Sequence, residues 1–362
     1  MITGIFIFLL FILPFVVIPS GISPFETYKV IVAEILIEIL LFIKFVHPKS
    51  FRFSRFNRAQ VVLVFLLFSL IIIDLMIFQS SANLFGNPFR LQGILLLFHL
   101  LAFSLLSSLL ELKIPKFVYI TSLLLLFVTT IFFGINNSSR FFGSLGEPNA
   151  LAATAVFIFP FIYFYEKLPF KITGLLLTLI IVFLSGSRSG LVALLIQISF
   201  ILLSQKVNSL SKTFLICLSL LGLSLLLPLF ENNQLYENRF MVWQTALSAG
   251  LESPFVGSGF GNIESAIHSA SLSLDNTIRF QFVDSSHNFI LDFFIQGGIL
   301  GLLIIGTMLF LSVRNLILHS KKMEIAILLG LLTAMSFNPA SVVTLIGFWF
   351  VIGQGFLKAG GK

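Results

Sequence analysis

Twelve apolar windows, each near the length a helix needs to cross a hydrocarbon layer, follow one another along this chain. They lie at about 3–19, 27–46, 60–78, 92–112, 117–135, 148–165, 172–185, 190–204, 213–230, 288–312, 323–337 and 341–357. In lipid the backbone must satisfy its own hydrogen bonds, so windows of this kind become helices. The expected fold class is an all-α polytopic membrane protein with about 12 transmembrane helices and one long loop before the tenth. With 57% of residues hydrophobic, 10% charged and 45 phenylalanines, little is left for a soluble domain. The opening "MITGIFIFLLFILPFVVIPS" has no basic leader and no small-residue cleavage site, so it is expected to be a retained first span. No internal repeat or low-complexity tract divides the chain, and residues 1–362 read as a single membrane domain.

The loops set the expected orientation. "HPKSFRFSRFNR" (47–58) is strongly basic and should face the cytoplasm. Counting spans from it places Lys113, Lys116, Lys167, Lys171, Lys206, Lys212, Arg314, Lys321 and Lys322 on the same side, with both termini. Of the sixteen basic residues assigned inside, twelve are lysine; of the six assigned outside (Lys29, Arg90, Arg140, Arg188, Arg239, Arg279), five are arginine. Topology accounts for the lysines but not for outward arginines. A guanidinium grips phosphate oxygens with a planar fork, so Arg90, Arg140, Arg188 and Arg239 point to an outward-facing polyanion.

Arg188 lies in "FLSGSRSGLVALL" (183–195), where span seven meets span eight. The small residues around it allow close approach of a helix or ligand. One reading is an arginine capping helix carbonyls; the other is an anion-binding group in a hydrated cavity. "GSRSG" has arginine where a nucleophile elbow needs serine. "GSGFGN" (257–262) follows no strand, so a tight turn is expected rather than a dinucleotide loop. The long outer loop, 231–287, carries an expected short amphipathic helix from Glu237 to Leu251, with Arg239, Trp243 and Ala246 or Leu247 on one face. Arg239 also reads as a solvated or interfacial residue beside Trp243. His287 is either a helix-cap residue or a general base, its ordinary pKa of about 6.5 suiting the latter. His99 reads as a packed intramembrane residue. Glu34 and Glu38, one turn apart, should face the bundle interior as polar contacts, and Asp74 and Asp292 read similarly. No D-x-D or carboxylate–histidine set suits a divalent ion, so any phosphate charge falls to the arginines.

Taken together, "FLSGSRSGLVALL", "NRFMVWQTAL", "ESPFVGSGFGNI" and "SSHNFILDFFIQGGILGLL" resemble, in order and spacing, the O-antigen ligase/polymerase family. "RFFGSLGEPNALAA" (140–153) and "NPFRLQGILL" (87–96) resemble weaker elements of it, and the likeness covers about 85–310. The resemblance implies a multi-span glycosyltransferase of GT-C-like architecture in the plasma (inner) membrane, acting in cell-envelope and lipopolysaccharide biosynthesis with its active face outward. Its donor would be an undecaprenyl-pyrophosphate-linked glycan and its acceptor a hydroxyl of a glycan or lipid core, in contact with membrane lipid and with no nucleic acid. It implies that Arg188 and Arg239 hold the lipid pyrophosphate and that His287 acts at the acceptor hydroxyl, so these three are the expected catalytic residues. No cofactor and no metal are expected. The family often has glutamate where this chain has Gln296. Ligase and repeat-unit polymerase remain open within this class, with a transporter or flippase of lipid-linked glycans as the non-enzymatic alternative.

Overall fold

The computed structural model describes residues 1–20, 22–47, 58–110, 112–135, 140–207, 209–226, 239–274 and 283–356, except the side chains of residues 58–61, 63, 64, 67 and 68. Arg279, residues 231–238 and the ends of the ninth and twelfth windows lie outside the described residues. The described residues form helices joined by turns, with one isolated antiparallel bridge between Ile135 and Phe141.

In chain order the helices are α1 (Ile2–Ile7), α2 (Thr27–Val46), α3 (Arg58–Ile77), α4 (Ser81–Phe85), α5 (Ile94–Ser107), α6 (Lys116–Phe133), α7 (Pro148–Tyr165), α8 (Leu168–Ser185), α9 (Arg188–Lys206) and α10 (Leu210–Ser224). They continue with α11 (Arg239–Glu252), α12 (Ile263–Ser273), α13 (Phe289–Leu318), α14 (Lys322–Met335) and α15 (Val342–Gln354). Each apolar window holds a helix. Five of them (α6, α7, α8, α9 and α13) are each long and apolar enough to cross a membrane, and the Ile2–Phe15 segment, α5, α10 and α15 are shorter apolar helices. Among the described residues the architecture is helical, and its apolar helices fit a polytopic membrane protein.

Two windows depart from simple helices. The first continues from α1 through a π turn at Phe8–Ile12 and a 3-10 turn at Leu13–Phe15, then becomes extended at Val16. Pro14 lacks the N–H that would continue the ladder. The tenth window runs to Leu318 and bends sharply at Gly298 (φ 58°, ψ −154°).

The centre is made by helices that are apolar all round, the pattern of a buried helix. In α14 and α15 nearly every residue is buried, and α7 is buried along most of its length. Around them pack α5, α9 and α13, while α6 and α8 expose most of their surface. The α14–α15 hairpin has helices of 14 and 13 residues, about 20 Å each, short of the roughly 30 Å of a hydrocarbon core. Its turn, residues 336–341, is buried. That turn lies at the end of the bundle that carries Arg90, Arg140, Arg188 and Arg239, here the arginine end; the opposite, lysine end carries Lys206, Lys321 and Lys322.

Glu38 does not face the bundle interior. Its side chain is 65% exposed and reaches His99 Nε2 at 3.3 Å, while His99 itself is buried and bonds the Leu95 carbonyl at 2.8 Å. Asp74 is buried and structural: its Oδ1 accepts from Phe260 N at 3.3 Å and its Oδ2 from Asn83 Nδ2 at 2.5 Å. It thereby ties α3 to the glycine turn at 257–262.

Candidate functional site

The break in α13 organises the arginine end. Where Gly298 interrupts the helix, carbonyls of the preceding turn lose their intrahelical partners and would be costly to bury. The "GSGFGN" turn supplies donors. Ser258 N bonds the Ile295 carbonyl at 2.8 Å and Gly259 N bonds that of Gln296 at 2.9 Å. Three positive-φ glycines make so tight a turn possible: Gly257 (φ 72°), Gly259 (φ 90°) and Gly261 (φ 86°). Gln296 closes the arrangement with both ends of its amide, accepting from Gly261 N at 2.8 Å and donating to the Asp292 carbonyl at 3.1 Å. A carboxylate at this position cannot make the second bond.

Asp292, one turn earlier, gathers the "DSSHN" loop. Its Oδ1 accepts from Ser286 N (2.7 Å) and Ser286 Oγ (2.6 Å), and its Oδ2 from Ser285 Oγ (2.8 Å). Asn288 caps α13 through Ile290 N at 3.0 Å and Leu291 N at 3.3 Å. Between them His287 is held at φ 58°, a left-handed conformation that few non-glycine residues adopt. Its N–H bonds Ser285 Oγ at 3.0 Å, and its buried Nδ1 has no partner among the described residues. Such strain, fixed by surrounding bonds, collects at functional sites. Burial pushes the His287 ring well below the ordinary imidazole pKa, and the charges of Arg239 and Arg90 push it further. The ring is therefore neutral near pH 7.

Arg239 opens α11 and is only 9% exposed, so it is neither a solvated loop residue nor a surface anchor. Its face of α11 is the one carrying Ala246, which is buried, while Leu247 is exposed. Arg239 Nη2 donates to Asn338 Oδ1 at 3.4 Å, and Asn338 Nδ2 bonds Ser189 Oγ and the Ala334 carbonyl. Asn338 thus links the loop helix, the α14–α15 hairpin and the S-R-S turn. On the other side of that turn Ser187 Oγ donates to Asn149 Oδ1 at 2.9 Å, which also accepts from Arg140 Nη2 at 2.8 Å. Arg140 Nε donates to the Ser185 carbonyl at 2.8 Å, close to Gly186, whose φ of 58° separates α8 from α9. Arg188 is the first residue of α9. Its side chain is exposed, not sunk in an apolar interior, and its neighbours Ser187 and Ser189 anchor its backbone to both networks.

Arg90 Nε pairs with Asp284 Oδ2 at 2.5 Å. Burial works against its charge, but Asp284 and Glu147, with help from Glu26, outweigh burial and hold its pKa above the usual guanidinium value. Glu147, preceding α7, is raised by burial and by Asp284 against the pull of Arg90 and Arg239. Glu26, preceding α2, is also raised by burial, and accepts from Val342 N at 2.5 Å. Beside the Arg90–Asp284 pair lies a cavity of about 80 Å³, polar at Asn87, Arg90 and Asp284 and apolar at Leu97, Leu100 and Trp349.

The structure therefore sets His287 within reach of the charges of Arg239 and Arg90, links Arg140 to Ser187 through Asn149, and leaves Arg188 exposed. The sequence reading missed Asn338, Asp284, Glu147 and Glu26. A signal existed for two elements of the network: "GEPNA" and "SFNPAS" each set an asparagine beside a proline near a helix start. Asp284 stands three residues before His287 in the same polar run.

Residues 173–306 match a family model described as O-antigen ligase. That segment contains Arg188, Arg239, His287 and Gln296, and leaves Arg90 and Arg140 outside it. No curated protein matches the chain.

Proposed function

We propose, from the match of residues 173–306 to an O-antigen ligase family model, that the chain is a multi-pass membrane protein of the ligase/polymerase glycan-processing type and a metal-independent glycosyltransferase. It takes an undecaprenyl-pyrophosphate-linked glycan and passes it to a hydroxyl of a glycan or lipid-core acceptor. The whole chain, 1–362, is one membrane domain of twelve spans in the plasma membrane, with both termini cytoplasmic and the arginine end outward. The observation that carries this reading is that His287, strained at φ 58°, lies at the same end of the bundle as Arg239 and Arg90, whose charges act on its ring.

In the proposed reaction the acceptor oxygen bonds the anomeric carbon while the bond from that carbon to the pyrophosphate oxygen breaks. The lipid pyrophosphate leaves with the electron pair. Arg188 and Arg239 meet the growing negative charge, Arg90 and Arg140 add to the field, and His287 takes the proton that the acceptor hydroxyl loses. Removing one preorganised donor of this kind typically lowers turnover about 10²–10³-fold. Because guanidiniums supply the positive charge, turnover should persist in EDTA.

The test uses purified protein in liposomes with undecaprenyl-pyrophosphate glycan as donor, followed by product size. A ladder of longer glycans, lost in Arg188→Ala, identifies a polymerase. Release of lipid pyrophosphate only on adding an acceptor lipid identifies a ligase. Bound lipid with no change of linkage under either condition refutes the enzymatic reading.

A further inference from the structure

At the lysine end, far along α13 from the site above, an apolar groove runs between α10 and α13. Both helices pack on α14, whose Leu332 forms part of its floor. Phe214, Leu218, Leu309 and Phe310 line the walls, and the volume is about 510 Å³, within the range of ordinary ligand sites. The groove is polar at one end only, where Ser211 near the start of α10 meets Arg314 near the end of α13. Among the described residues no carboxylate forms an ion pair with Arg314, in contrast to Arg90. Midway along lies Gly306, where an added Cβ would meet nothing within 4 Å. A glycine inside an α-helix costs helix stability relative to a larger residue, and here its effect is to keep the groove open.

We propose that this groove binds one anionic phospholipid, its acyl chain along α10 and α13 and its phosphate on Arg314. The charge complementarity selects the occupant. A long apolar slot with one basic end matches a single acyl chain with an anionic head, and basic pockets between membrane helices bind such headgroups. A transmembrane helix of a partner is about 10 Å across and packs through several small residues, whereas Gly306 stands among leucines and phenylalanines. The surrounding lipid tails are as apolar as the groove, so the chain adds little selectivity. The preference comes from the headgroup, about fivefold for one basic side chain.

Native mass spectrometry of the full-length protein, titrated with phosphatidylglycerol or phosphatidylcholine of identical chains, tests this. The wild type should retain phosphatidylglycerol about fivefold more strongly. Arg314→Gln should remove that preference while keeping weak binding of both lipids. Gly306→Leu, which fills open space and favours the helix, should lose both. Equal retention of the two lipids by the wild type, an unchanged preference in Arg314→Gln, or full retention by Gly306→Leu would overturn the proposal. So would a lipid-free dimer that Gly306→Leu abolishes.

Discussion

The Arg90–Asp284 pair offers a sharp test of whether the arginine end is an assembled electrostatic site. The substitution is Asp284→Asn, which keeps shape and removes one charge. The two side chains are 17% and 26% exposed and their atoms lie 2.5 Å apart. Breaking a fully buried ion pair costs about 3–5 kcal/mol, and an exposed one about 0–1 kcal/mol. Partial exposure places this pair between them, at about 2 kcal/mol. Glu147 and Glu26 still face Arg90 in the variant, which keeps the cost toward the lower figure. At about 2–4 °C per kcal/mol for a chain segment of a few hundred residues, the unfolding midpoint in detergent should fall by about 4–8 °C. Arg90→Gln, which also removes the charge that Glu147 and Glu26 face, should give a larger fall, and the double variant should fall little beyond Arg90→Gln, because the interaction with Asp284 is removed only once. Donor binding separates structure from function. If Arg90 contributes to the anion site, Asp284→Asn frees its fork and should tighten lipid-pyrophosphate binding even as stability drops. Additive effects of the two substitutions, with a coupling under about 0.5 kcal/mol, would refute this picture of the site.

Three further outcomes follow from the same geometry. The His287 pKa is lowered in the folded protein, so below about pH 6.5 the unfolded chain takes up a proton that the folded chain refuses. Stability from this group is complete above that pH and falls as the pH drops toward the folded value. Glu26 and Glu147, raised by burial, act in the opposite sense, so the comparison must be with His287→Asn, which tolerates φ 58°; its melting temperature should depend less on pH between about 6.5 and 5. Gln296→Glu loses the bond to the Asp292 carbonyl and sets a carboxylate against it, a cost of about 1–3 kcal/mol, and should lower the melting midpoint; Gly261→Ala should lower it more, because at φ 86° its Cβ would run into the Ala82 carbonyl oxygen.

Much of the fold was legible because membrane helices announce themselves by length and apolarity. The windows at 27–46 and 148–165 coincide with α2 and α7. The first window is cut short because Pro14 removes a donor, an effect that a hydropathy window averages away. The tenth hides its break because Gly298 looks like any small residue in a membrane helix, and only the donors of the 257–262 turn make the break affordable. Inside the long loop, α11 showed its periodicity, whereas α12, "IESAIHSASLS", is too polar and short to stand out. Of the site, Arg239 and His287 were visible as residue types out of place, and Arg140 and Arg90 as outward arginines. Their partners were not visible, since Asn338 lies 99 residues from Arg239 and Asp284 lies 194 from Arg90. Such pairings are created by tertiary packing and cannot be read from local pattern. Arg188 reads in the sequence as either a cap of helix carbonyls or an anion-binding group in a hydrated cavity; the left-handed Gly186 separates α8 from α9 just before it, and its side chain is exposed.

The most direct test of the account is the affinity of the purified protein for undecaprenyl pyrophosphate against undecaprenyl monophosphate, in wild type and Arg239→Lys, with melting temperature measured alongside. Lysine keeps the charge and loses the fork. The expected result is a clear preference for pyrophosphate in the wild type and a loss of about 10-fold or more in Arg239→Lys, beyond what any change in stability explains. Equal affinity for the two lipids, or an Arg239→Lys protein that is stable and binds pyrophosphate as the wild type does, would contradict a guanidinium site for the lipid pyrophosphate.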